Sequence, residues 1–251
     1  MNKAIHLLII TVCLLLVFLS ANAQVKPQMI LNDPDYDHEK LLRFGFSVGT
    51  NFMDFQITNN HSQTEVPILD SLYFANVSRL YPGFNVNALS YFTIVAGLQL
   101  RFSPGLAFGQ RNVDFFLDNG NYDGTVKIES SFIELPLHIK YNAQRSTNAR
   151  PYLVAGGNYR IDLARKSKSS KSRLVDDSDT FFTLARSDIY YEFGAGYEFF
   201  LQYFKFSIEF KFSSGMVNVL ENYDETDEGR VYFDAINFMR SQIFTLSFNF
   251  E

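Results

Sequence analysis

The chain alternates apolar and polar residues along most of its length. Phe44, Phe46, Val48 and Phe52 share one face of an extended segment, with Gly45, Ser47, Gly49 and Asn51 on the other. The pattern returns at Phe84, Val86, Ala88, Phe92 and Ile94 against Asn85, Asn87 and Thr93. It returns again at Leu98, Leu100, Phe102, Leu106 and Phe108 against Gln99, Arg101, Ser103, Gly109 and Arg111. A fourth segment sets Ile133, Leu135, Leu137, Ile139 and Tyr141 against Glu134, Pro136, His138 and Lys140. A fifth, less regular, runs over residues 151–163. The sixth sets Ile189, Tyr191, Phe193, Ala195, Tyr197 and Phe199 against Asp188, Tyr190, Glu192, Gly194, Gly196 and Glu198. The seventh sets Phe204, Phe206, Ile208, Phe210 and Phe212 against Lys205, Ser207, Glu209, Lys211 and Ser213, and the last sets Phe244, Leu246, Phe248 and Phe250 against Thr245, Ser247 and Asn249. Successive side chains of a strand point to opposite faces, so each segment predicts a strand with one apolar and one polar face. The expected fold is all-β, with eight antiparallel strands.

Alternation does not say which face turns inward. A soluble barrel hides its apolar face, whereas a membrane barrel turns it to lipid. Three features favour the membrane. Many segments exceed the ~9–11 residues that a tilted strand needs to cross a bilayer. The polar faces mix Gly and Ser with charges of both signs, which suits a narrow interior where charges pair. The connections alternate in length: long near 58–82, 114–126, 164–187 and 214–240, short near 95–97, 142–149 and 200–202. Outer-membrane barrels join their strands by long extracellular loops and short periplasmic turns. Eight strands with both ends in the periplasm generate this order.

Composition adds to the picture. Aromatic residues make up 16% of the chain, with 27 Phe, 14 Tyr and no Trp, as an outer wall facing lipid would require. The net charge of -5 argues against a nucleic-acid partner. Lys3, the apolar run over residues 4–20 and Ala21-Asn22-Ala23 form an export signal, residues 1–23, with Gln24 as the first mature residue. The single cysteine, Cys13, lies inside that signal, so the mature chain has no thiol chemistry. Residues 24–42, with Pro27 and Pro34 and no strand period, read as a periplasmic segment, and residues 43–251 as the barrel. The closing Phe244, Leu246, Phe248 and Phe250 resemble the aromatic last strand that barrel-assembly machinery recognises, although Glu251 follows the final aromatic.

Several stretches resemble the PorT family of the type IX secretion system. They are Asp35-Tyr36-Asp37, Phe44-Gly45-Phe46, Asn51-Phe52-Met53-Asp54-Phe55, Arg101-Phe102-Ser103-Pro104-Gly105-Leu106-Ala107-Phe108, Ile133-Glu134-Leu135-Pro136-Leu137-His138-Ile139-Lys140-Tyr141 and Phe204-Lys205-Phe206-Ser207. The Pro-Gly-Leu and Glu-Leu-Pro-Leu pieces are shared across Bacteroidota outer-membrane barrels, and Asn-x-Met-Asp-Phe discriminates better. The resemblance implies an outer-membrane protein needed to export cargo with type IX signals and, in some bacteria, for gliding. It implies no catalytic residue.

The candidate chemistry lies in the interior. Arg101, Arg111, Lys140, Lys205 and Lys211 are expected to face Glu134, Glu192, Glu198 and Glu209, because an unpaired charge there is heavily penalised. With His138 they form the expected lumen network. An eight-stranded barrel is just wide enough to be filled by side chains, so it reads as a plug. His138 and Glu134, with Ser103 and Ser207 on lumen-facing positions, raise the thought of a hydrolase; a structural role is the default. The histidines are scattered, without metal-ligand spacing. No catalytic site, metal, cofactor or small-molecule substrate is expected. The basic run containing Arg165, Lys166, Lys168, Lys171 and Arg173 reads as a solvated loop that could touch lipopolysaccharide phosphates. Asp35, Tyr36 and Asp37 are the candidates for contact with other secretion components. The expected function is non-enzymatic, in type IX secretion. The alternatives are adhesion or envelope integrity, and an enzyme that modifies lipid A.

Overall fold

A computed structural model describes residues 41–59, 73–76, 81–117, 122–163, 182–223 and 236–251. Among these residues twelve strands follow in order: β1 (Leu42–Asn59), β2 (Tyr73–Asn76), β3 (Pro82–Val95), β4 (Leu98–Phe102), β5 (Gly105–Leu117), β6 (Tyr122–Asn142), β7 (Ala149–Asp162), β8 (Phe182–Leu184), β9 (Ser187–Phe200), β10 (Lys205–Gly215), β11 (Leu220–Tyr223) and β12 (Ile236–Phe250). They make eight staves. β4 and β5 are one stave, because Phe102 pairs with Leu137 and Gly105 with Glu134 in unbroken register. Pro104 lacks the N–H that the ladder needs there, which interrupts the strand. β2 pairs with the upper end of β5, and β8 with β11 above β9 and β10.

The staves close into a ring. Each pairs antiparallel with the next, and β12 returns to β1, where Phe52 faces Phe244 and Phe46 faces Phe250. Following one line of partners round the barrel gives its shear. Leu42 leads to Phe92, Leu100, Ile139, Ala155, Phe193, Phe212, Phe244 and finally Phe52. The circuit starts at Leu42 and ends at Phe52 on the same strand, a shift of ten residues. Ten steps of ~3.3 Å over eight strand spacings of ~4.8 Å tilt the strands by about 40°.

That tilt places the apolar belt. Phe44, Phe46, Val48 and Phe52 point outward on β1, as do Phe84 and Phe92 on β3 and Leu135, Leu137 and Ile139 on β6. From Phe44 to Phe52 the wall rises about 20 Å, close to the ~25 Å apolar band of a membrane barrel. Over β9, β10, β12 and β1 the belt is aromatic: Phe206 lies between Phe199, Phe248 and Phe250, and Phe250 stacks on Phe46 at 4.9 Å. The polar faces line the lumen.

The faces exchange polarity above the belt. Met53 and Phe55 point inward on β1 while Asp54, Gln56 and Thr58 point outward. Met239 and Ile243 point inward on β12 while Arg240 and Gln242 point outward. Outside the bilayer the sheet follows the rule of a soluble protein, so Phe55, Ala75, Val113, Val219, Ile236 and Met239 form an apolar cluster over the extracellular end of the lumen.

This exchange explains a difference from the sequence-based boundaries. The long loop expected at 114–126 is largely strand: β5 runs to Leu117 and β6 starts at Tyr122. The inverted pattern Gln110-Arg111-Asn112-Val113-Asp114 hid the strand. The expected loops at 58–82, 164–187 and 214–240 likewise contain β2, β8 and β11. β1 begins at Leu42, one residue inside the segment assigned to the periplasm. At the periplasmic end the turns are short, with Gly97 at φ 82 in the turn between β3 and β4, a conformation that favours glycine. The signal (residues 1–23) and most of residues 24–42 lie outside the described residues.

Candidate functional site: the packed lumen

The lumen-facing side chains stack in tiers from the periplasmic end upward. In the lowest, the Glu251 carboxylate sits 3.2 Å from Arg43 Nε and 3.0 Å from Lys205 Nζ. The next is built on Glu198, which accepts from Lys140 Nζ and, at 2.6 Å, from Arg150 Nη2. Lys140 Nζ also lies 4.8 Å from the Tyr91 ring centre and 4.2 Å from that of Tyr152. Above it Arg101 and Glu209 pair through two bonds of 2.6 and 2.8 Å, and Tyr152 Oη donates to the same carboxylate at 2.9 Å. Such two-pronged charged pairs are the strong ones.

Glu192 is the hub of the fourth tier. Its Oε2 takes His138 Nε2 at 2.7 Å and Lys211 Nζ at 2.8 Å. Its Oε1 takes Arg160 Nη2 at 2.8 Å, Asn158 Nδ2 at 2.9 Å and Ser213 Oγ at 2.8 Å. Arg160 Nε bonds Glu134 at 2.7 Å, and Asn87 Nδ2 reaches the other oxygen of Glu134 at 3.3 Å. His138 Nδ1 lies 3.3 Å from Arg101 Nη2. A guanidinium only donates, so Nδ1 accepts, Nε2 carries the proton, and the neutral ring donates to Glu192.

The ten residues of the sequence-derived network, Arg101, Arg111, Glu134, His138, Lys140, Glu192, Glu198, Lys205, Glu209 and Lys211, are all buried and face the lumen. Nine join ion pairs or, for His138, the bonds above. Arg111 differs from the expected pairing. It is held by the hydroxyls of Ser130 and Ser241 and lies 4.3 Å from the Phe55 ring centre, with no ion pair to a carboxylate among the described residues. Its level is the reason: it sits where the charged tiers give way to the apolar cluster. Asp35, Tyr36 and Asp37, and Arg165, Lys166, Lys168, Lys171 and Arg173, lie outside the described residues.

Sequence reasoning missed Arg43, Arg150, Arg160, Asp162 and Glu251. Arg160 is the most consequential, since it joins Glu134 to Glu192. It belongs to the fifth segment, where Gly156 and Gly157 blur the alternation. Reading Arg150, Tyr152, Asn158, Arg160 and Asp162 as one face would have found it.

Among the described residues the lumen arrangement leaves little room for substrate. Both nitrogens of His138 are engaged, and Ser207 Oγ is bonded to Tyr152 and Asn249. One cavity, beside Arg101, Glu209 and Asn249, holds about 10 Å³, and another beside Arg111, Arg160 and Asp188 is the same size. Each has room for about one water. Glycines make the packing possible: a Cβ on Gly196 would collide with the Tyr152 ring. Among the described residues no group of three His, Cys, Asp or Glu is placed to hold a metal ion.

The chain is similar to known outer-membrane barrels. The family model described as the outer membrane protein beta-barrel domain matches residues 22–221. No curated protein matches. Among solved structures, Neisserial surface protein A is 8% identical, with a TM-score of 0.42 over 83% of this chain and 97% of that one. The attachment invasion locus protein Ail of Yersinia pestis, in complex with the heparin analogue sucrose octasulfate, is 12% identical, with a TM-score of 0.37 over 82% and 96%. OprG of Pseudomonas aeruginosa is 10% identical, with a TM-score of 0.37 over 83% and 93%. The family match spans most of the chain, and the protein belongs to the outer membrane protein beta-barrel domain family, with its place in the outer membrane.

Proposed function

We propose that this barrel is a non-enzymatic outer-membrane component of a type IX secretion apparatus, acting through its surfaces and not through its lumen. The observation that carries the second half is the tiered interior, in which charged side chains pair across the full width and an apolar cluster lies above them. Folded cargo has no path through it. The first half rests on the resemblance of residues 35–37, 44–46, 51–55, 101–108, 133–141 and 204–207 to PorT proteins. Residues 24–42 are the surface we assign to periplasmic partners, with Tyr36 as an aromatic anchor between two aspartates. Lipid, and lipopolysaccharide at the basic run 165–173, are the other contacts of this reading.

The test removes residues 26–40 while keeping the signal and β1. Barrel level and heat-modifiable migration are measured first, then secretion of proteins with C-terminal type IX sorting domains. The expected result is normal assembly with lost secretion. Normal assembly with normal secretion refutes the assignment to this segment. If deletion of the whole gene also leaves secretion intact, the secretion role itself falls. A second reading, adhesion or envelope integrity, is favoured by the strands that rise above the belt as β2, β8 and β11. Deletion that spares secretion but weakens attachment or detergent resistance selects it. A lipid A mass spectrum that changes on deletion would select the enzymatic alternative.

A further inference from the structure

Arg240 stands on the outside of the barrel, just above the aromatic belt. The exchange of polarity there puts Asp54 and Gln56 outward on β1, and Phe238, Arg240 and Gln242 outward on β12. Arg240 is directly opposite Gln56, and Gln242 is opposite Asp54. Gln242 Nε2 donates to Gln56 Oε1 at 3.1 Å, which ties the two strands together on their outer face. The Arg240 guanidinium lies 4.7 Å from the Phe238 ring centre, a cation over an aromatic face that holds it in place. In the lumen, Arg101 and Arg160 meet carboxylates. Arg240 is exposed, and among the described residues it has neither an ion pair nor a hydrogen bond. Asp54 lies diagonally across the ladder from it, and its Oδ1 accepts from the Phe55 N–H at 2.7 Å.

The level of this group on the wall selects its ligand. On β12 the outward face is apolar at Phe244, and Arg240 lies four residues farther up the strand. At ~3.3 Å per residue and a tilt of about 40°, that is a rise of about 10 Å. The headgroup layer is roughly 5–7 Å deep on each side of a bilayer, and an arginine can lower its charged end into it. A guanidinium with unused donors matches a phosphate through two parallel bonds. Beside it, Gln56 Nε2 and Gln242 Oε1 are a donor and an acceptor left over from the bond between the two amides, and they suit sugar hydroxyls. Phosphate, sugar and headgroup depth together describe a phosphorylated glycolipid. A diacyl phospholipid offers the amides no hydroxyl-bearing ring.

We propose that Arg240, with Phe238, Gln56 and Gln242, forms a docking site on the outer wall for the phosphorylated sugar of an outer-leaflet glycolipid. The inference rests on the outer-membrane location and is independent of the secretion role. It gives the lipopolysaccharide contact a place on β1 and β12, apart from the basic run 165–173. A glycolipid held there covers the seam where β12 closes on β1.

The absence of tryptophan from the chain provides the test. Phe238→Trp introduces the sole indole beside Arg240, and a larger aromatic face keeps that contact. The full mature chain is refolded in dodecyl maltoside micelles, and heat-modifiable migration establishes barrel closure for every variant. Lipid A bearing its phosphates is then titrated while the indole emission is followed, with dephosphorylated lipid A and phosphatidylglycerol as comparisons. The expected result is a saturable change with phosphorylated lipid A and much weaker binding of the other two. In the same background Arg240→Gln should weaken binding about tenfold, the worth of a hydrogen bond to a charged group. Arg240→Lys should weaken it less. Asp54→Asn should strengthen it, by removing a negative charge beside the phosphate. Arg186→Gln, at another exposed arginine toward the extracellular end, should leave it unchanged. A closed barrel whose indole shows no saturable change overturns the proposal. So does an equal response to phosphatidylglycerol, because any anionic lipid would then serve. Binding that survives Arg240→Gln overturns it as well and moves the contact to the basic run. Secretion plays no part in these readouts, so their failure leaves the secretion role untouched.

Discussion

Replacing Glu192 by glutamine removes one negative charge from the most connected side chain of the lumen and changes its shape little. The tier it belongs to is neutral: Glu134 and Glu192 are set against Arg160 and Lys211, and His138 is uncharged in its tautomer. Glu192→Gln leaves the tier at +1 inside a wall where its side chain is fully buried. It strips Lys211 of its 2.8 Å carboxylate partner and leaves Arg160 with one described carboxylate, Glu134, in place of two. Breaking a buried pair by removing one partner costs about 3–5 kcal/mol, because the remaining charge is uncompensated. The double variant Glu192→Gln, Lys211→Gln restores neutrality, and should recover about 1–3 kcal/mol of that loss as coupling between neighbours. Urea unfolding of the refolded barrel in vesicles, followed by heat-modifiable migration, measures both. The reasoning fails if the single variant costs less than ~0.5 kcal/mol, the range of an indifferent surface change. It fails equally if the double variant is destabilised by the full sum of its two parts.

Other consequences follow from the same geometry. Ile208→Arg puts a cation on the lipid face and should cost about 2–4 kcal/mol and block assembly, whereas Ser207→Arg points inward and should fail by crowding Tyr152 and Asn249; normal assembly of Ile208→Arg in an outer-membrane fraction would invert the facing of β10. Gly196→Ala would drive a Cβ into the Tyr152 ring and should reduce the yield of closed barrel, while Gly157→Ala, whose nearest neighbour is 3.6 Å away, should leave the urea midpoint unchanged; equal behaviour of the two would show that lumen packing does not set the cost. In planar bilayers the purified barrel should add no single-channel steps to the bare lipid, and resolved steps would show that the tiers do not fill the lumen.

The alternation of β1, β3, β6, β9, β10 and the lower part of β12 was legible because a two-faced environment imposes a strict period of two, and each face has one chemistry throughout the bilayer. The same local rule failed above the belt. Between Phe52, which faces lipid, and Met53, which faces the interior, the apolar phase changes sides. A pattern read for a single phase therefore mistakes residues 114–117 and 122–126 for loop. The adjacent apolar pair at 52 and 53 was the available signal, and it marks the outer edge of the membrane.

The sequence by itself determined that the chain makes eight staves, which residues of most staves face lipid, and a part of the charges that share the interior, because these depend only on the order of residues along a strand. It did not determine which charge meets which. Glu192 on β9 gathers Arg160 from β7, His138 from β6 and Lys211 from β10, and that choice depends on a shear of ten residues around the closed ring. Nor did it place Arg111 with two serines and a phenylalanine, or reveal Arg43, Lys205 and Glu251 as neighbours at the mouth. Those contacts join residues up to about two hundred positions apart in sequence. They exist because closing the barrel at one register sets the height of every side chain, a constraint no local stretch of sequence carries.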